Sequence, residues 1–134
     1  MDIDLSEWLR VQLDTDARDI ADPYAEKAWH ARDCVMLPDG DSPTYPCDCG
    51  VPDRLLREIE AKRQIVAPYA AALTDREMLR ARMREVIYKE PEEFARLHRQ
   101  ESELIDRASS LASVVRLLAL PYADRLGYRE DWRP

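Results

Sequence analysis

The sequence predicts a mainly α protein, a helical hairpin or small bundle carrying one short β-hairpin near residues 29–49, and three observations lead there. Apolar residues recur every three or four positions over most of the chain, the period of a helix with one buried face. The hydrophobic fraction is 46% and the charged fraction 35%, a combination that suits amphipathic helices with a solvated outer side rather than disorder. Between Trp29 and Leu37 the pattern switches to period two, which is the period of a strand. At 134 residues, a single domain spanning 1–134 with its own core is expected.

The first helix is expected over about 4–20, with Leu5, Trp8, Leu9, Leu13, Ala17 and Ile20 on one face and Asp4 or Ser6 as its cap. Trp29, Ala31, Val35 and Leu37 then share one side of a strand. The turn-forming run Pro38-Asp39-Gly40-Asp41-Ser42-Pro43 leads back through Tyr45 to Cys49 as its partner. Pro52 suits the first turn of a helix over about 52–67, whose stripe is Leu55, Leu56, Ile59 and Val66, continued by Tyr69 and Leu73. Pro68 is expected to bend or end it.

Thr74-Asp75-Arg76-Glu77 has the form of a capping box and predicts a new helix over about 75–89, carrying Leu79, Met83, Val86 and Ile87. Pro91 opens the last helix, over about 91–119, where Leu97, Glu101, Leu104, Ala108, Leu111, Val115 and Leu118 make a coiled-coil-like seam. Glu101 is its one misfit, either a solvent-exposed end of the contact or a polar pairing position. Pro121 ends the helix and leaves a C-terminal tail, 121–134.

Charge and length narrow the function classes. The net charge is −7, and residues 1–50 hold twelve acidic and four basic side chains, which disfavours a phosphate backbone as partner. No apolar run reaches the ~18 residues of a membrane span, and the acidic start MDIDLSEW is unlike a secretion signal. A cytoplasmic protein is expected. Lys27, Lys62 and Lys89 are the three lysines against a large arginine excess, the bias of a GC-rich genome.

The segments Leu118-Ala119-Leu120-Pro121-Tyr122-Ala123-Asp124, Tyr128-Arg129-Glu130-Asp131-Trp132-Arg133-Pro134, Leu55-Leu56-Arg57-Glu58-Ile59-Glu60-Ala61-Lys62-Arg63 and Glu7-Trp8-Leu9-Arg10 carry a resemblance. With Cys49-Gly50 they resemble a family of uncharacterised small proteins, a domain of unknown function, from actinobacteria and their phages. The resemblance implies no catalytic or binding residues.

Enzymatic signatures are missing from the sequence: Gly40, Gly50 and Gly127 cannot build a phosphate-cradling loop, and His30 and His98 are the two histidines. His98 and Ser102 stand one helical turn apart, a spacing common on solvated faces. Asp14, Asp16, Asp19 and Asp22 have the spacing of a calcium loop but lack its glycine and its closing glutamate, so they read as an acidic helix face.

The sharpest metal candidates are Cys34, Cys47, Cys49 and His30, since thiolate and imidazole are preferred zinc ligands. If Trp29 to Leu37 is a strand, however, His30 and Cys34 stand ~13 Å apart at ~3.3 Å per residue, too far for one ion. A site of three thiols and an outside ligand stays open beside the alternative of reduced cysteines packed as small hydrophobes. Arg76, Arg80 and Arg84 form a basic stripe interleaved with Glu77 and Glu85, the pattern of a solvated face more than of a nucleic-acid contact. Tyr122, Tyr128 and Trp132 are candidate partner-binding residues, with docking on the chain's own helices favoured.

By elimination, the sequence points to a non-catalytic protein–protein interaction module without a cofactor, one that modulates a host protein as a phage or prophage product. The alternative is a small zinc-binding module using Cys34, Cys47 and Cys49. The long seam also suits a homodimer.

Overall fold

A computed structural model describes residues 4–22 and 49–134, and these are mainly helical. Helix α1 is Leu5–Ala21, α2 is Val51–Val86 and α3 is Pro91–Ala119; two short 3-10 turns follow at Leu120–Tyr122 and Glu130–Trp132. No strand occurs among the described residues, and the expected β-hairpin near 29–49 falls outside them, apart from Cys49 in a bend before α2.

The largest departure from the sequence reading is α2. The two helices expected over 52–67 and 75–89 are one helix of 36 residues, with Pro68 inside it. Proline removes one backbone hydrogen bond, at a cost of roughly 3 kcal/mol, but Pro68 is exposed and water can satisfy the carbonyl it strands. Val66 and Ala72, on either side, are buried, and that burial holds the helix together across the proline. The run Ala70-Ala71-Ala72-Leu73 is strongly helix-forming, so Thr74 meets a helix already under way and caps nothing. The helix ends at Val86 rather than Lys89, where the amides of Lys89 and Glu90 both bond to the Val86 carbonyl.

The chain divides into two compact units, Met1–Trp8 with Ile65–Pro134, and Leu9–Gln64. In the second of these, Leu9 and Leu13 are wholly buried and Ile20 and Ile59 nearly so, as the period of α1 and the start of α2 predicts. Arg63 Nη2 donates to Asp14 Oδ1 at 2.7 Å across the two helices of this unit.

The first unit is built on the end of α2 and on α3. Met83, Val86 and Leu97 form a buried cluster, joined by the half-buried Leu79 and Phe94. Arg80 lies beside Glu101, so residues ascending on α2 meet residues descending on α3: an antiparallel hairpin closed by the turn at 87–90. Pro91 stands in the first turn of α3, as expected, and Leu97, Ala108 and Val115 of its seam are buried. Asp4 provides the α1 cap, its Oδ1 accepting the amide of Glu7 at 3.0 Å.

Candidate functional site

The turn that closes the α2–α3 hairpin carries its most exposed aromatic. Tyr88 is 93% exposed and Ile87 41%, both just beyond the last turn of α2. They stand there because Val86 is turned into the core, which leaves the next two residues to face outward. Behind them lies an open groove of about 540 Å³, lined by Arg80, Met83, Arg84, Ile87, Tyr88 and Phe94. Its apolar lining comes from the buried Met83, the half-buried Phe94 and the outward Ile87. Its charged lining is two guanidinium groups, with no carboxylate.

The basic stripe of the sequence reading divides in the structure. Arg80 Nε donates to Glu101 Oε1 at 2.7 Å, and Arg76 Nε lies 3.5 Å from the same oxygen. Glu101 is therefore the polar pairing position of the seam, with its side chain 13% exposed. The hydrogen bond from Arg80, with Arg76 adding to it, holds the Glu101 carboxyl below the usual glutamate range. Arg84 has no ion-pair partner among the described residues. The neighbouring carboxylates Glu85 and Glu93 are held by Arg82 and Arg96.

The tail candidates pack on their own chain. Trp132 and Tyr122 are buried and Tyr128 is half-buried. Trp8 stands 5.6 Å from the Tyr128 ring and 5.5 Å from the Trp132 ring, centroid to centroid, and its Nε1 donates to the Leu126 carbonyl at 3.1 Å. Gly127 makes this possible: its φ is +88°, and a Cβ there would lie 2.9 Å from Trp8 Nε1. The sequence points to the tail but not to Trp8 as the side chain it covers, because helical period alone assigns Trp8 to a core face without saying which segment packs on it.

Of the metal candidates, His30, Cys34 and Cys47 lie outside the described residues, and Cys49 is half-buried. Among the described residues no group of three or more histidines, cysteines or carboxylates is arranged to hold a metal ion. Ser102 Oγ donates to the backbone carbonyl of His98 at 3.2 Å, so its proton is committed to the helix rather than to the imidazole. No helix of the described residues is long and apolar enough to cross a membrane.

A family model described as a family of unknown function, DUF6221, matches residues 2–134. No curated protein and no solved structure matches the chain.

Proposed function

The chain belongs to the DUF6221 family, whose function is unknown, and for this member we propose a non-catalytic role: an interaction module that binds a protein partner at the closed end of the α2–α3 hairpin. The observation that carries the reading is the groove at Tyr88, where two aromatics, Tyr88 and Phe94, line one open cleft with Met83, Ile87 and two arginines. Tyrosine and arginine dominate interface energetics, since each offers a large flat body with a polar end. An apolar surface group rimmed by charged side chains is the form that a protein-binding site takes. In the biological setting that the resemblance suggests, the partner is a host protein, and the chain acts by occupying a surface of it.

The test is a photo-crosslinking amino acid placed at Tyr88 in the full chain, expressed in an actinobacterial host. One dominant protein adduct, lost when Ile87→Asp is added while the circular dichroism stays helical, is the expected result. Adducts no more frequent at 88 than at an exposed control position such as Glu58 would sink the reading.

A second proposal rests on the three thiols Cys34, Cys47 and Cys49, which stand close in sequence and are suitable zinc ligands. Native mass spectrometry of the chain purified without chelator tests it: one zinc per chain, lost on Cys47→Ser, supports the site, and a metal-free mass removes it.

A further inference from the structure

The charge of the groove specifies what fills it, and the following inference rests on the interaction reading above. We infer that the groove takes an amphipathic helix of a partner protein whose apolar side chains are flanked by carboxylates one helical turn apart. Met83, Ile87 and Phe94 give it an aliphatic and aromatic floor, and the methionine adapts to aliphatic side chains of different shape. The charged groups on its margin are Arg80 and Arg84, four residues apart on α2 and hence neighbours on one face. Two carboxylates at the same spacing on a facing helix would meet both guanidinium groups.

The surroundings leave part of that positive charge uncompensated, at Arg84. Glu85 and Glu93 are neutralised by Arg82 and Arg96, Arg80 stays half exposed despite its bond to Glu101, and Arg84 has no ion pair among the described residues. A nucleic acid fits less well, since a phosphate backbone would use only the two arginines and leave the floor of Met83, Ile87 and Phe94 uncovered.

The experiment uses the full chain and two fluorescein-labelled helical peptides. Both carry leucine at positions i, i+3, i+4 and i+7; one is flanked by glutamates and the other by lysines. Anisotropy titration is expected to show the glutamate peptide binding about tenfold more tightly or better, the scale of a favourable interfacial charge pair. Methyl shifts should appear at Met83 and Ile87, and Arg84→Glu, an exposed change that leaves the helical spectrum intact, should abolish the preference. Equal affinity for the two peptides, a preference unchanged in Arg84→Glu, shifts confined to other methyls, or tighter binding of a duplex DNA would each overturn the inference. So would a dimer by light scattering that Tyr88→Asp returns to monomer. If the peptides are not discriminated while the crosslinker at Tyr88 still captures one protein, the assigned chemistry is wrong and the interaction reading stands. If neither occurs, both fail.

Discussion

Arg80 Nε donates to Glu101 Oε1 at 2.7 Å in the middle of an otherwise apolar helical seam. A carboxylate at such a position limits the two helices to registers that keep an arginine beside it, because a charge left unpaired within the seam is costly.

Removing Glu101 alone therefore strands Arg76 and Arg80. Glu101→Ala is expected to destabilise the chain by about 1–3 kcal/mol, the cost of a partly buried charge left unpaired. Changing Glu101 and Arg76 both to leucine should recover most of that loss. Urea denaturation of the two variants, followed by circular dichroism, measures both, and a double variant no more stable than Glu101→Ala would contradict the pairing account.

The same pair sets a pH dependence. The carboxyl of Glu101 is held below its ordinary value of 4.5, chiefly by the hydrogen bond from Arg80, so folding favours its ionised form. That contribution is fully present above the unfolded value and is lost as pH falls through the lower, folded value. Thermal stability of the native chain should drop below about pH 4.5 more steeply than that of Glu101→Gln.

Gly127 is expected to tolerate no side chain. Gly127→Ala would force a Cβ into a left-handed backbone and against the Trp8 indole, with a loss of about 1–3 kcal/mol. Trp8→Phe keeps the ring contacts but loses the bond to the Leu126 carbonyl, and should cost about 1 kcal/mol or more. Thermal unfolding ranks the two, and Gly127→Ala as stable as the native chain would be the failing result.

Pro68 sits at an exposed position within α2, where it breaks one backbone hydrogen bond. Pro68→Ala should raise stability by up to about 3 kcal/mol and increase helical ellipticity slightly. An unchanged or lower midpoint would mean that the native helix needs the proline.

Much of this was legible in advance where burial and period agree. Leu5, Leu9, Leu13, Ile59, Val66, Leu97 and Val115 are read inward from spacing alone, and each is buried. The misreadings come from local signals overruled by neighbours. Pro68 and the box at Thr74 to Glu77 are end signals, yet a helix that gains burial on both sides of them continues through. Glu101 was visible as a misfit, but only the structure shows which arginines answer it. The groove at Tyr88 was not legible, since it depends on where a helix stops, and the stop was placed three residues late.

The bond from Trp8 to the Leu126 carbonyl spans 118 positions of sequence. At the ~5–20 residues per second of synthesis, Trp8 leaves the ribosome roughly ten seconds before Trp132 exists. For that interval the first helix presents an indole without the carbonyl and ring partners that residues 126–132 supply. A chain broken off before Leu126 would keep that indole uncovered, a physical mark by which a chaperone or protease can tell such a truncated chain from one that carries the cover.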